Sequence, residues 1–400
     1  MKNELKLPFY LAFQSIRRGR KWTLLLTIFL MSVAFVNLIF VSALFNGIIE
    51  GSNQQVIDTL TSDIYANPKQ SSEYINNKDE VVKAIEKVNG VAAVSTGFQI
   101  PARIEHNSRS GRWPIIAINP NEYSKVINVS KKMYKGKYLS LDDKDGIIIG
   151  RQIAGGQGLE LNTTSLKGLS VGDKVKIIFD GFEKTFIVRG IFYTKFVESD
   201  SRAFISNKAL INIMPNFINK ATVINILTDA KKNDVEILNK IKRLDLGVEV
   251  YLWKEAAGLM RSVSSSFSSI NVIMTLVGVI IASVTTFIVI YVDIINRRRQ
   301  IGILRAIGIK PYIIVSSYVI MAAVYIVMGI VLGSIIYICA LVPYFIAHPF
   351  VLPLTDAVLK LTWVEYIARA EIVIWVAIFS GLIPALIVTR TKMLDAIIGK

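Results

Sequence analysis

The sequence predicts a helical membrane protein, with four spanning helices and a large α+β domain inserted between the first and the second. Three observations support this fold class. Four long apolar runs divide the 400-residue chain, and the long polar segment at residues 47–261 alternates between strand and helix patterns. Lysine and arginine lie on alternate sides of the runs, which predicts that both termini face the cytoplasm.

The four apolar runs predict the spans, because none has a charged residue away from its ends. They cover residues 22–46, 262–296, 311–342 and 371–390. A hydrocarbon core about 30 Å thick takes about 20 helical residues at a rise of about 1.5 Å, so each run is long enough to cross. The first run is longer than the apolar core of a cleavable signal peptide, so we expect it to remain as an anchor.

The third run is long enough for two spans, because no Asp, Glu, Lys or Arg occurs from Pro311 to Thr355. Three prolines from Pro343 to Pro353 nevertheless predict that the helix ends near Leu341. An apolar loop outside the cell, residues 343–370, would then follow. This interpretation gives four spans rather than five.

The basic character of the chain comes mostly from the edges of the runs. Residues 1–21, 297–310 and 390–400 together contain fourteen Lys and Arg but only two acidic residues, in a chain of net charge +16. Cytoplasmic edges are enriched in such cations, so residues 47–261 are predicted to lie outside the cell and the tail 391–400 inside. The topology accounts for the charge, which argues against a nucleic-acid partner.

The segment before the first span, residues 1–21, is predicted to form a cytoplasmic or interfacial helix. Leu5–Gln14 mixes apolar and aromatic residues with a few polar ones, a pattern typical of a helix that lies at the membrane surface. A frayed N-terminus is the alternative.

The large polar segment predicts an α+β subdomain built from residues of about 55–100 and 215–255. Two amphipathic helices lie beside strand-like runs, and these elements cover residues 78–88, 91–95, 221–227, 233–244 and 248–252. The intervening residues, about 101–214, are predicted to form a β-rich insertion. Within it, Asp180-Gly181 between two apolar runs is a strong hairpin signal.

Catalytic chemistry has little support in the sequence. The chain contains two histidines and one cysteine, so a His/Cys metal cluster, a Cys/His nucleophile pair and a disulfide within the chain are not expected. His106 is interpreted as a solvated loop residue. Asp293 and Glu371 lie near the predicted ends of spans and are interpreted as interfacial groups. We therefore predict no catalytic residue, no metal and no bound cofactor.

The strongest local pattern lies between the second and third spans. Residues 296–310 have the sequence NRRRQIGILRAIGIK, which predicts a short cytoplasmic helix. Its apolar face would contain either Ile301, Leu304 and Ile307 or the pair Ile303 and Ile307, since both sets have helical spacing. Such a helix can bury a small apolar face in a partner, and an ordinary basic loop is the alternative.

These residues resemble the conserved C-terminal module of FtsX-like permeases, the ABC transporter membrane subunits that include MacB and the lipoprotein-releasing LolC and LolE. The resemblance spans Ser268–Lys310 and is most specific in its IGILRAIG core. Four other stretches, FYLAFQSIRRGRKWTLLL, IIIGRQIA, LSVGDKVKI and IPALIVTRTKMLDAI, also resemble the family. The order of one span, a large outer domain and three spans is the family's order.

The resemblance implies that two permeases pair, as a homodimer or with a paralogue, in the bacterial cytoplasmic membrane. Each would rest on a cytoplasmic ABC ATPase that uses ATP with Mg²⁺, and the helix between the second and third spans would couple ATP-driven closure to motion of the outer domain. The sequence lacks a phosphate-binding Gly-rich loop followed by Lys, so the ATPase is expected to be a separate chain. The implied coupling residues are Arg299, Gln300, Ile301, Gly302, Ile303, Leu304, Arg305, Ala306 and Gly308.

One of these positions departs from the family, which commonly has an acidic residue where this chain has Gln300. A neutral hydrogen bond would then replace a charge pair with the ATPase. Elsewhere, Gly329 and Gly333 have the spacing that lets two helices approach closely, and they are predicted to form a helix-packing face, such as a dimer contact.

The resemblance also implies a class of function. A non-enzymatic permease of this kind would move an amphipathic substrate from the outer leaflet or periplasm, by lipoprotein release or by efflux of a peptide or drug. A periplasmic adaptor, a carrier or the lipoprotein itself would be a further partner. The alternative is an FtsX-like signalling scaffold whose outer domain activates a cell-wall hydrolase. FtsX-type outer domains are generally smaller than the segment of about 215 residues at 47–261, which favours transport.

Overall fold

The structure is a computed structural model that describes residues 6–18, 21–159, 161, 163–229, 233–256, 258–352 and 356–390. The chain divides into two compact units. We call the first the membrane bundle, formed by the described residues within Met1–Ile49, Ser265–Val351 and Asp356–Lys400. We call the second the outer domain, formed by those within Glu50–Ser264 and Leu352–Thr355. The predicted tail at 391–400 lies outside the described residues.

The helices of the described residues comprise four long apolar ones and a set of shorter ones. They are α1 (Lys6–Arg18), α2 (Lys21–Val56), α3 (Lys78–Glu86), α4 (Pro120–Val126), α5 (Arg151–Ala154), α6 (Val197–Asp200), α7 (Asn207–Ile213), α8 (Asp234–Arg243), α9 (Trp253–Ala256), α10 (Gly258–Asn296), α11 (Arg298–Ala306), α12 (Pro311–Ile336), α13 (Val342–Ala347) and α14 (Trp363–Arg390). Single turns of π-helix follow α2 at Ile57–Thr61 and α12 at Tyr337–Leu341, and 3₁₀ turns lie at Asn128–Lys132 and Pro215–Phe217.

Most of the strands belong to the outer domain. They are β1 (Ile64–Pro68), β2 (Ile75–Asn76), β3 (Val91–His106), β4 (Arg109–Ile118), β5 (Met133–Gly136), β6 (Gly146–Gly150), β7 (Lys174–Phe179), β8 (Phe182–Phe192), β9 (Ala203–Ser206), β10 (Lys220–Ala221), β11 (Val223–Thr228), β12 (Val248–Leu252), β13 (Phe350–Val351) and β14 (Asp356–Ala357).

Four helical stretches are long and apolar enough to cross a membrane: Lys21–Thr61, Ser265–Asn296, Pro311–Ala347 and Trp363–Ile387. The first and last helices are longer than the predicted spans, because α2 continues to Val56 and α14 begins at Trp363. The early start of α14 has a local cause. The Thr362 hydroxyl accepts a hydrogen bond from the Glu365 backbone N–H, and the Glu365 carboxylate accepts one from the Thr362 N–H. This reciprocal pair is a capping box, which fixes the first turn of a helix.

The helix of the third span differs from the prediction that it ends near Leu341. A π-helical turn at Tyr337–Leu341 is followed directly by α13, and Pro343 occupies the first turn of that helix. Proline is tolerated there because its missing N–H would have no helical partner in a first turn. The proline therefore marks the start of a new helical segment rather than the start of a loop.

Ten strands of the outer domain form one mixed sheet. Nine lie in the order β12-β1-β11-β3-β4-β9-β6-β8-β5, and β7 pairs with both β3 and β8. Most neighbours are antiparallel, but β4 with β9 and β6 with β8 are parallel. The predicted insertion at about 101–214 does not form a separate sheet. The 16-residue strand β3 crosses the predicted boundary, and it pairs with β11 of the predicted α+β subdomain and with β7 of the predicted insertion.

The two predicted amphipathic helices are present as α3 and α8, and they pack on one face of the sheet. Their apolar residues, among them Ile85 and Ile237, share a core with Ile64, Ile224 and Val250 of the strands. The predicted hairpin is also confirmed. Strands β7 and β8 pair up to Phe179 and Phe182, with Asp180 at φ 47° and Gly181 at φ 77°, the left-handed pair that a tight hairpin turn needs.

Candidate functional site

The candidate coupling helix α11 lies at one end of the membrane bundle, and its ends are fixed by local sequence. Gly308 has φ 97°, which glycine adopts without strain. The Gly308 N–H donates to the Arg305 carbonyl at 3.0 Å, and the Ile309 N–H donates to the Leu304 carbonyl at 3.1 Å. This pair of bonds is a Schellman motif, which ends the helix. Pro311 then begins α12.

The two faces of α11 have different environments. This difference assigns a separate role to each of the two apolar sets that the sequence offered as alternatives. Ile301 is only 2% exposed and Leu304 is half-buried, and both contact a core that includes residues of α1 and α12. Ile303 is 45% exposed and Ile307 is 75% exposed. Ile301 and Leu304 therefore attach the helix to the bundle, while Ile303 and Ile307 form an exposed apolar pair.

The first helix, α1, completes this end of the bundle. It spans Lys6–Arg18, so the frayed alternative does not describe these residues, while residues 1–5, 19 and 20 lie outside the described part of the chain. Ala12 of α1 is buried in the same core as Ile301 and Tyr318. We call the region formed by α1, α11 and the adjoining ends of α10 and α12 the basic end, because Arg17, Arg18, Arg297–Arg299, Arg305 and Lys310 lie on it.

An ion pair holds the basic end together. The Arg297 Nε donates to the Asp293 carboxylate at 3.1 Å, and its Nη1 donates to the Ser15 carbonyl at 3.1 Å. The pair links α10 to α1, and Asp293 is buried rather than open to the membrane interface. Glu371, also predicted to lie at a helix edge, instead lies inside α14 with an exposed side chain.

The nine predicted coupling residues all lie on α11 or its C-terminal cap, but they divide between its faces. Ile301 and Gly302 are buried, and Leu304 and Arg305 are half-buried. The other five are exposed: Arg299, Gln300, Ile303, Ala306 and Gly308. Only this second group is available for contact with another protein without rearrangement of the bundle.

The predicted packing glycines of α12 contact α2 of the same chain. A Cβ atom on Gly329 would lie 2.6 Å from the Met31 Cβ, and one on Gly333 would lie 3.1 Å from the Ser32 carbonyl oxygen. Both glycines are buried. They therefore allow two helices of one chain to approach closely, and they are not exposed for a contact with a second copy.

The outer domain contains no group of three or more His, Cys, Asp or Glu among its described residues that could hold a metal ion. His106, predicted to be a solvated loop residue, lies at the end of β3 with a side chain that is 14% exposed. Its Nδ1 lies 3.0 Å from the Lys174 carbonyl oxygen. The prediction failed because β3 extends further along the chain than the local pattern indicated.

One buried carboxyl group has a strongly altered environment. Asp200 accepts hydrogen bonds from the Thr194 N–H at 2.8 Å and the Thr194 hydroxyl at 2.9 Å, while its Oδ2 has no hydrogen-bond partner among the described residues. Burial raises the pKa of Asp200 to about 7, although the hydrogen bonds from Thr194 act in the opposite direction. Asp200 therefore exchanges its proton near neutral pH.

A polar pocket of about 490 Å³ lies within the outer domain, and no sequence pattern marked it. Its lining includes Arg202 and Asn225, both largely buried. Burial lowers the pKa of Arg202. The sequence pattern does not indicate a role for Asn225, because a single polar residue in a strand is common. The distant residues that face it are brought together only by the fold.

Two family models match the chain. Residues 24–244 match the MacB-like periplasmic core domain, which is more than half of the chain. Residues 272–393 match the FtsX-like permease C-terminal domain, which includes α11. No curated protein matches the sequence.

Two solved structures are similar to the chain. The periplasmic region of MacB from Actinobacillus actinomycetemcomitans is 12% identical, with a TM-score of 0.37, covering 52% of this chain and 94% of that one. The extracellular domain of the noncanonic ABC-type transporter YknZ from Gram-positive bacteria is 15% identical, with a TM-score of 0.33, covering 47% of this chain and 98% of that one. On the two family matches, this multi-pass chain belongs to the FtsX-like, MacB-type family of ABC transporter permeases.

Proposed function

We propose that this chain is the permease subunit of an ABC transporter in the bacterial cytoplasmic membrane. In this proposal a separate cytoplasmic ATPase binds the basic end, and ATP hydrolysis there moves the outer domain. The moving domain extrudes or releases an amphipathic substrate outside the cell, such as a lipoprotein, peptide or hydrophobic drug. The chain itself performs no bond chemistry.

The observation that supports the coupling role is the exposed apolar pair, Ile303 and Ile307, on a helix whose opposite face is buried. Exposed apolar side chains on a helix surrounded by arginines suit a groove in a partner protein better than water. The helix is attached to the bundle through Ile301 and Leu304. A displacement of α11 by the partner would therefore be transmitted to α1 and α12 rather than absorbed by a loop.

The proposed orientation follows from the same region. Arg17, Arg18, Arg297–Arg299, Arg305 and Lys310 of the basic end are seven of the fourteen cations that border the spans, and such cations are enriched on the cytoplasmic side. The termini and α11 then lie inside, and the outer domain lies on the opposite side of the membrane. This arrangement places α11 within reach of a soluble ATPase that uses ATP with Mg²⁺.

A second permease, either another copy or a paralogue, is part of the proposal. Helix α10 supports it, because only 22% of its most apolar window is buried within the chain. Its exposed side chains, including Ile273, Leu276 and Ile280, are open to lipid or to a second permease.

The test of coupling is the substitution Ile303→Asp. The full-length protein is purified in mild detergent from its native membrane with its copurifying ATPase, and ATP hydrolysis is measured in lipid nanodiscs. We expect the variant to lose the ATPase or its stimulation while its thermal unfolding is unchanged, because Ile303 is exposed. Normal ATPase binding and normal substrate movement would refute the proposed role of this face.

The matched control is Ile301→Asp on the same helix. This buried substitution should destabilise the basic end itself, so it loses ATPase binding together with helix protection in hydrogen exchange. Leu304→Asp is a poorer test of coupling, because Leu304 is half-buried and its loss would mix the two effects.

The proteins that copurify identify the class of substrate. An ATPase with a lipoprotein or its periplasmic carrier would support lipoprotein release. An ATPase with an adaptor and an outer-membrane channel would support efflux, whereas an ATPase with a peptidoglycan hydrolase would favour a signalling scaffold. An intact permease complex that contains no ATPase would overturn the proposal.

A further inference from the structure

The polar pocket of the outer domain lies on the sheet face opposite to α3 and α8. Successive residues of a strand point to opposite faces. On β1 and β11, Ile64 and Ile224 join the core beneath the two helices, whereas Tyr65 and Asn225 line the pocket. The exposed side chains of Gln99 and Glu198 are also in its lining, so solvent reaches it. All of these residues belong to the outer domain.

Asn225 lies in the wall of this pocket without any partner for its side chain. It is 1% exposed, and neither its amide nitrogen nor its amide oxygen makes a hydrogen bond with any residue that the structure describes. In the sheet it is paired with Tyr65 on one side and Ser95 on the other, and the buried Ser95 hydroxyl also has no partner. Buried polar groups in native proteins are nearly always hydrogen-bonded, so these groups indicate a missing ligand or bound water.

Arg202 supplies a positive charge to the same pocket. Its side chain is 17% exposed, and its nearest carboxylate is that of Glu198 at 3.6 Å, beyond hydrogen-bond distance. Glu198 is itself half exposed, so water weakens this ion pair. A largely buried guanidinium whose ion-pair partner is half exposed and not hydrogen-bonded to it is suited to binding a second carboxylate through two parallel hydrogen bonds.

The rest of the lining defines the shape of a ligand. The ring of Tyr65 provides flat apolar surface, and the volume of about 490 Å³ is within the range of about 300–1,000 Å³ for small-molecule sites. The Asn225 amide offers one donor group and one acceptor, which is the complement of a secondary amide.

We propose that this pocket binds a small organic acid that also contains a secondary amide, of about the size of an N-acylated amino acid or a dipeptide. The carboxylate binds Arg202, and the amide exchanges a pair of hydrogen bonds with Asn225. This site is independent of the coupling helix, so a failure of the proposed ATPase contact would leave it untouched.

The test uses the full-length protein in lipid nanodiscs and saturation-transfer NMR. The probes are N-acetylalanine, N-acetylalanine methyl ester, which lacks the negative charge, and propionate, which lacks the amide. We expect binding of the acid and at least about tenfold weaker binding of the other two, because each has lost one charged or paired contact.

Two variants and one control locate the binding. Asn225→Leu removes the unpartnered amide at nearly constant volume, so it should abolish binding without lowering the thermal stability of the outer domain. Arg202→Gln should weaken binding of the acid to the level of the ester. Arg103→Gln, which removes an arginine from an exposed surface ion pair in the same domain, should leave binding unchanged.

Three results would overturn the proposal. The first is that no probe binds to the wild-type protein at millimolar concentration, which would show that the pocket contains water only. The second is that binding persists in both variants, which would show that the probe binds outside this pocket. The third is that Asn225→Leu unfolds the outer domain, which would show that the amide has a structural role and that its partners lie within the protein.

Discussion

The outer domain and the membrane bundle differ in how far their apolar side chains are buried. In strand β6 of the outer domain, Ile147, Ile148 and Ile149 are all fully buried, so both faces of the strand are covered. In helix α10 of the bundle, only 22% of the apolar window is buried. Water makes exposed apolar surface unfavourable, whereas lipid does not. Hydrophobicity therefore predicts burial in the outer domain but not in the bundle.

Contacts inside the bundle are marked instead by small and hydroxyl-bearing residues. Gly329 and Gly333 lie against α2, and the hydroxyl groups of Ser283 and Ser380 join α10 to α14 at 2.8 Å. Without a hydrophobic drive between helices, close approach and interhelical hydrogen bonds supply the association. Polar residues thus stabilise the bundle through contacts between its helices, whereas in the outer domain the buried Asn225 amide lines a pocket and has no partner among the described residues.

The largest expected effect compares two phenylalanines. Phe204 is 1% exposed and contacts the rings of Tyr123 and Phe192, whereas Phe379 of α14 is 61% exposed. Phe204→Ala should destabilise the outer domain by about 3–5 kcal/mol, because it leaves a cavity in the core. Phe379→Ala should have almost no effect on a single chain in lipid. Hydrogen exchange of full-length protein in nanodiscs measures both, and an equal loss for Phe379→Ala would show that another protein covers it.

A smaller effect concerns the pH dependence of the outer domain. The folded pKa of Asp200, about 7, is above the ordinary value of 3.8, so the folded state holds this proton more tightly than the unfolded state. Stability should therefore fall as pH rises from about 4 to 7, by an amount on the order of a few kcal/mol, and then level off. Asp200→Asn should flatten this dependence. Hydrogen exchange of the segment at 190–206 tests this, and a wild-type stability that rises through the same window would contradict it.

The third prediction compares two bundle glycines. A Cβ on Gly329 would meet the Met31 Cβ at 2.6 Å and backbone atoms of α2 at 3.1 and 3.2 Å, whereas one on Gly278 would meet the flexible tip of Leu38 at 2.8 Å. Gly329→Ala should destabilise the bundle by about 1–3 kcal/mol, because the helices must move apart. Gly278→Ala should destabilise the bundle less than Gly329→Ala, since only the end of the Leu38 side chain has to move and the helix backbones can keep their distance. Denaturant titration of the reconstituted protein ranks the two, and the reverse order would show that α2 and α12 are not in close contact.

The smallest effect is expected for a surface ion pair of the outer domain. Lys69 and Asp245 lie 3.0 Å apart with exposed side chains. Lys69→Gln should change stability by about 0.2–1 kcal/mol, because water and salt screen such pairs. The difference from the wild type should shrink further at high ionic strength. A larger loss that does not respond to salt would contradict this prediction.

The sequence was sufficient where the determinants are local. The uncharged runs predicted four spanning helices, and the Asp180-Gly181 pair predicted the hairpin between β7 and β8. The position of α11 and the two alternative apolar faces were also predicted. The choice between those faces required the packing of α1 and α12, which the local pattern of α11 does not contain.

The remainder of the fold depends on contacts between distant residues. The parallel pairing of Ile115 with Ala203 joins two halves of the predicted insertion, and no local pattern encodes it. The same is true of the row from Tyr65 through Asn225 to Ser95, whose members come from three separate strands. The pocket exists because the sheet brings this row beside Arg202, so neither its place nor its unpartnered groups were predictable.

The order of strands in the sheet has a consequence for the biogenesis of the protein. The first strand of the sheet in chain order, β1, pairs with the last, β12, through Ile64 and Leu252. In the proposed topology this sheet is completed only after nearly the whole outer domain has been exported from the cytoplasm. Strand β1 therefore remains unpaired with β12 during export. Long-range pairing of this kind is slow and leaves strand edges open to misassembly. We therefore expect newly exported chains to depend on periplasmic or cell-surface folding factors, a dependence that the bundle helices with their local hydrogen bonds do not share.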